Sequence, residues 1–146
     1  FILGKITAYV DALRLGKTTV DDLTSYTQTA VEIEHIMPQT CADKELYGMN
    51  DEDFSVYINR LGNLTLLENS INKSIHNDVY ANKSKAYKQS KFYLTSSLSE
   101  LVNQGHDTAI NRTNSLLFAW PDWNKRSIEE RQEMLYRLSE MIWEMS

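Results

Sequence analysis

The sequence predicts an α+β fold, mainly α, in which a small hairpin-and-helix core is surrounded by helices. Three observations lead there. Apolar residues recur at helical spacing near both ends of the chain. Residues Val31 to Ile36 alternate with the period of a strand. A second short apolar segment, Leu61 to Leu67, is bounded by turn residues and reads as a strand antiparallel to the first.

Taken in order, Ile2, Ile6, Tyr9, Val10 and Leu13 outline a first helix that Gly16 ends. A short second helix is expected to start near Thr19 or Val20. In the first strand, Val31, Ile33 and His35 fall on one side and Glu32, Glu34 and Ile36 on the other. Pro38 closes it, because proline has no N–H for a ladder. The polar stretch from Gln39 to about Asn59 is long for a connection, and Asp51 to Ile58 is expected to form a helix within it. After the second strand, Asn69 to Asn77 contains a helix start. Val79 to Val102 is helical in pattern, with a break near Ser90, and Gly105 closes it. A further helix lies within Thr108 to Phe118. The last helix opens on a capping box, Ser127-Ile128-Glu129-Glu130. Its apolar stripe is Ile128, Met134, Leu135, Leu138, Met141, Ile142 and Met145.

A chain of 146 residues is one domain by default and long enough for a core without cross-links. The expected organisation is a helical part over 1–28, a core over 30–91 and a helical part over 92–146. A start at Phe1 rather than Met suggests a fragment of a longer protein. No apolar run approaches the length of a membrane span, so no membrane partner is expected. The single cysteine, Cys41, excludes an internal disulfide and a Cys-x-x-Cys zinc site, and a reducing cytoplasm fits best.

The net charge is −5, which taken alone argues against a nucleic-acid binder. Its distribution softens that. Between Asn72 and Lys91, five lysines (Lys73, Lys83, Lys85, Lys88, Lys91) face a single acid, Asp78, whereas the last twenty residues carry an excess of glutamates. A local basic face on an acidic body can bind phosphate, and the plainer reading of the lysines is a solvated helix face.

A hairpin and helix with Glu34-His35 on the first strand and asparagines on the second strand and the helix match the ββα-metal layout. Cleaving a phosphodiester needs a base for water and a cation for the charge on phosphate and leaving oxygen. Histidine serves the first need because its pKa lies near working pH. Carboxylate and amide oxygens serve the second by suiting Mg²⁺. Read alone, His35 is better explained as a satisfied core histidine, and a plain helix cap is an alternative reading of Asn72.

The segments Glu32 to Gln39 and Arg60 to Leu67, with Asn72, Asn77, Tyr80, Lys83, Tyr87 and Ser90, resemble the HNH nuclease domain at the C-terminus of GmrSD-type modification-dependent restriction proteins. Ile128, Arg131 and Trp143 are similar to its last helix. The resemblance implies that His35 activates water and that Asn63 orients the histidine loop. It also implies that Glu34 and Asn72 ligate a Mg²⁺ (or Mn²⁺) ion, and that Lys73 and Lys83 contact nucleic acid. Asn77 is an alternative to Asn72. Where the family commonly has Asn-Lys-Pro-Phe, this chain has Asn77-Asp78-Val79-Tyr80, so one lysine is missing.

The expected activity is metal-dependent endonucleolytic nicking or cleavage of DNA in restriction or anti-phage defence, in a bacterial cytoplasm, alongside an N-terminal NTPase or DNA-sensing domain of the parent. The alternative is a catalytically weak or inactive nuclease-fold module that binds DNA or docks a partner domain. Because neighbours on a regular strand face opposite sides, Glu34 and His35 can serve one phosphate only if the strand bends after Ile33.

Overall fold

The computed structural model describes residues 1–20 and 22–144. Its elements, in chain order, are α1 (Ile2–Arg14), α2 (Thr24–Thr27), β1 (Val31–His35), α3 (Asp51–Tyr57), β2 (Leu64–Glu68), α4 (Asn69–Ile75), α5 (Tyr80–Tyr87), α6 (Tyr93–Ser96), α7 (Ala109–Asn114) and α8 (Lys125–Glu144). Two 3-10 turns, Lys44–Tyr47 and Leu61–Asn63, precede α3 and β2. The fold is α+β and mainly α, as the sequence predicts.

β1 and β2 form a two-stranded antiparallel sheet in which Val31 faces Glu68 and His35 faces Leu64. One more backbone bond prolongs the ladder past His35, from Ile36 N–H to the Asn63 carbonyl (2.9 Å). A two-stranded ribbon alone is marginal in water. Here helices supply the missing burial: Thr65 and Leu67 are fully buried on one face of β2 and Leu66 nearly so on the other. The edge strand β1 leaves Ile33 59% exposed, so the side shared by Ile33 and His35 faces outward and the side of Glu34 and Ile36 faces the core.

Several boundaries differ from expectation for local reasons. The second helix begins at Thr24, where the Asp22 carboxylate accepts from the Thr24 N–H and hydroxyl (2.8 and 2.6 Å). β2 starts at Leu64 because Leu61–Asn63 is drawn into a 3-10 turn. The helical stretch after Val79 is broken over several residues: Glu68, at the end of β2, accepts from the Ser90 hydroxyl and the Lys91 N–H (both 2.9 Å). The last helix is capped by Asn124, whose Oδ1 accepts from Ser127 N–H (3.1 Å) while Ser127 Oγ accepts from Asn124 N–H (3.2 Å). The reciprocal box therefore lies three residues upstream of the one expected, and Glu130 instead pairs with Arg126 on the surface.

The core joins Ile6 and Val10 of α1, Leu67, and Ile128, Leu135 and Leu138 of α8. Each such aliphatic side chain contributes roughly 1.5–3 kcal/mol by leaving water. Met141 and Ile142 of the expected stripe are partly buried, and Met145 lies outside the described residues. No described helix is long and apolar enough to cross a membrane.

Candidate active site

His35 ends β1 with its imidazole only partly covered, and Nε2 lies 2.9 Å from Oδ1 of Asn59 in the turn after α3. Asn59 gave no signal in the sequence, because only the folded chain brings it across 24 residues.

Asn63 is completely buried. Its Oδ1 accepts from Met37 N–H (2.8 Å) and from the Trp123 indole N–H (3.0 Å). Its Nδ2 donates to the carbonyls of Ile58 (2.9 Å) and Met37 (3.1 Å). One amide thus ties the chain just after His35 to the chain just before Asn59. A group so enclosed orients other residues and does not itself touch a substrate.

The preceding residue explains the Gly-Asn pair. A Cβ on Gly62 would lie 2.2 Å from the Ile128 carbonyl and 2.9 Å from Gln132 N. The α8 backbone passes directly against this turn. Gln132 Oε1 accepts from Gly62 N–H (2.6 Å), and Arg131 donates through Nη1 to the carbonyls of Gly62 and Leu64 (3.0 and 2.6 Å). Arg131 is fully buried, its Nε and Nη2 have no hydrogen-bond partner among the described residues, and burial pulls its pKa down to about 10.

Glu34 does not join His35. β1 keeps its register through both residues, so the bend after Ile33 is absent and the two side chains leave opposite faces. Glu34 is 4% exposed and points into the core. Lys83 Nζ donates to its Oε1 (3.2 Å) and the Tyr87 hydroxyl to its Oε2 (3.3 Å). Burial raises the Glu34 pKa against the pull of Lys83, lowers that of Lys83, and holds the Tyr87 phenol well above its ordinary value. Glu34, expected as a metal ligand, is thus placed with its oxygens engaged in the interior. Lys83, expected as a phosphate contact, is fully buried and donates to Glu34 and to the His35 carbonyl (2.8 Å). Lys73, on α4, is exposed, as are Lys85, Lys88 and Lys91.

Asn72 lies in the middle of α4, not at its cap, and Nδ2 donates to Glu32 Oε2 (2.7 Å). Its Oδ1 is buried without a hydrogen-bond partner among the described residues, an arrangement that costs free energy unless something completes it. Asn77 is exposed beyond the end of α4. No cluster of three or more His, Cys, Asp or Glu side chains among the described residues could hold a metal. Asn72 and Glu32 are neighbours that each carry a hard oxygen donor, and the atom of Asn72 that meets Glu32 here is Nδ2. Such a pair fits a Mg²⁺ ion that takes one or two protein oxygens and fills its shell with water and phosphate oxygens. Glu32, read from sequence as a plain exposed strand residue, is therefore the carboxylate beside Asn72.

Against known proteins, a family model described as the C-terminal domain of GmrSD restriction endonucleases matches residues 2–138. No curated protein and no solved structure matches the chain.

Proposed function

The chain belongs to the family of GmrSD restriction endonuclease C-terminal domains, and from that premise we propose that it is an HNH-type, divalent-metal-dependent DNA endonuclease with His35 as general base. The observation that carries this reading is the partly exposed His35 imidazole at the end of β1, braced by Asn59 and by the buried Asn63.

In the proposed reaction His35 takes a proton from water. The resulting nucleophile attacks the phosphorus, the bond to the 3′ oxygen breaks, and that oxygen takes a proton from solvent water, leaving 5′-phosphate and 3′-hydroxyl ends. Asn72 and Glu32 would hold the ion, Mg²⁺ or Mn²⁺, which would supply positive charge to the attacked phosphate and the leaving oxygen. Because Glu32 leaves β1 on the Glu34 side, this reading requires β1 to twist on DNA binding so that the ion and His35 reach one phosphate. Lys73 is exposed one residue from Asn72 and is suited to a phosphate contact. Asn63 acts by holding the loop after His35. The same reading makes an NTPase or DNA-sensing domain of the parent the partner, the bacterial cytoplasm the compartment, and defence against foreign DNA the role.

The test is nicking of supercoiled plasmid with Mg²⁺ or Mn²⁺ and with EDTA. A general base contributes about 10²–10⁴-fold, and His35→Ala should lose that much while remaining folded. Equal nicking by His35→Ala and wild type would remove His35 as the base. DNA binding without metal-dependent cleavage by the wild type would favour the non-catalytic module.

A further inference from the structure

The contact between His35 and Asn59 bears on which imidazole nitrogen does the chemistry. A neutral imidazole has one N–H donor and one lone-pair acceptor, and the partner of one nitrogen decides the role of the other. Here Nε2 faces the amide oxygen of Asn59 at 2.9 Å. With that oxygen, which can only accept, facing it, the contact is satisfied by the tautomer that carries the proton on Nε2 and leaves the lone pair on Nδ1.

The position of Asn59 is itself fixed. The turn that contains it closes through Arg60 N–H to the Tyr57 carbonyl (3.1 Å), and the Arg60 guanidinium stacks on the Tyr57 ring at 4.0 Å. Asn63 grips the Ile58 carbonyl and both the N–H and the carbonyl of Met37. One buried side chain thereby sets the spacing between the residue before Asn59 and the residue two beyond His35. Trp123, from the segment leading into α8, holds that amide in place through Oδ1. The amide orientation of Asn63 is determined by its four partners, since its oxygen meets two donors and its nitrogen two carbonyls.

We propose that Asn59 is a positioning residue that holds His35 as its Nε2–H tautomer, making Nδ1 the atom that receives the proton of the attacking water. The assignment of Nδ1 as base rests on the nuclease reading above; the tautomer itself does not.

Two measurements test it separately. The first is long-range ¹⁵N–¹H correlation on histidine-labelled chain at a pH where the ring is neutral, with the His35 signals assigned by His35→Ala. The wild type should show the Nε2–H form with a protected Nε2 proton. Asn59→Asp keeps an accepting oxygen and should keep that form, whereas Asn59→Ala should lose the protection. An Nδ1–H ring in the wild type, or spectra unchanged in Asn59→Ala, would overturn the tautomer assignment. The second is steady-state nicking. Asn59→Ala should lower kcat by about 10- to 100-fold, the usual range for partners that orient a working histidine, with KM for DNA unchanged. An unchanged kcat would overturn the positioning role. A protected Nε2 proton in a wild type that nicks no faster than His35→Ala would overturn the assignment of Nδ1 as base through the nuclease reading, while the tautomer would stand.

Discussion

The Lys83 ammonium donates to the backbone carbonyl of His35 at 2.8 Å while also pairing with Glu34. A charged pair in the interior thus touches the strand residue proposed as the general base. Taking both charges out of water is costly, and removing one partner alone leaves the other unpaired. Glu34→Gln and Lys83→Met should each destabilise the fold by about 3–5 kcal/mol. The double substitution should cost less than the sum of the two. Urea denaturation of the three variants measures this, and strict additivity would show that the two charges do not interact.

Gly62→Ala is expected to be as damaging as a larger core change. The added methyl meets the α8 backbone, which has no flexible end to yield. Forcing extra volume into a packed site costs about 1–3 kcal/mol. Because Asn63 is the next residue, nicking should fall further than stability accounts for. Thermal melts and nicking rates at a temperature where the variant is fully folded separate the two effects.

Metal dependence should follow Glu32 and Asn72 and not Glu34. Asn72→Ala and Glu32→Gln are each expected to raise the Mn²⁺ concentration for half-maximal nicking by about tenfold or more, an effect of the size seen when metal-site residues are altered. The Glu34→Gln titration should superimpose on the wild type once matched for folded protein. Electron paramagnetic resonance of free Mn²⁺ reads the same affinities without relying on turnover. A shift confined to Glu34→Gln would return the carboxylate ligand to Glu34.

Asp78 gives an acid-side signature. Its carboxylate accepts from Asn82 Nδ2 (3.0 Å) and from Val79 N–H (2.8 Å) at the start of α5, and these bonds hold its pKa below the ordinary aspartate value. A carboxylate depressed in the folded state adds stability that is present above its unfolded pKa of about 3.9. That stability is lost as pH falls through the lower folded value. Asp78→Asn should therefore flatten the fall of stability below about pH 4 and leave the slope above pH 5 unchanged, as followed by denaturation at a series of pH values.

Periodicity read well wherever one side chain after another answers to the same environment. The α1 spacing from Ile6 to Val10 and the α8 stripe from Ile128 to Leu138 both fill the core. The alternation of Val31 to Ile36 located β1, but alternation cannot say which side is inside. Here the apolar Ile33 faces out and the charged Glu34 faces in, because Lys83 and Tyr87 from α5 complete it. The motif residues His35, Asn63 and Asn72 were legible as types at a spacing. What each one touches was not, since Asn59, Trp123 and Glu32 reach them only through the folded chain. Lys83 misled for the same reason: on a helix with Lys85 it reads as surface, and only a buried carboxylate reveals it as an interior group.

The approach of α8 to Gly62 has a consequence for how this chemistry travels between proteins. The His35 hairpin is held in place by groups some sixty to seventy residues further on: Trp123 at Asn63, Arg131 at Gly62 and Leu64, and Gln132 at Gly62. Residues 30–91 are therefore not a portable cassette. Grafted onto another scaffold without the segment from Trp123 through Gln132, they would carry every letter of the motif and lack the far-end brace that gives those letters their spacing.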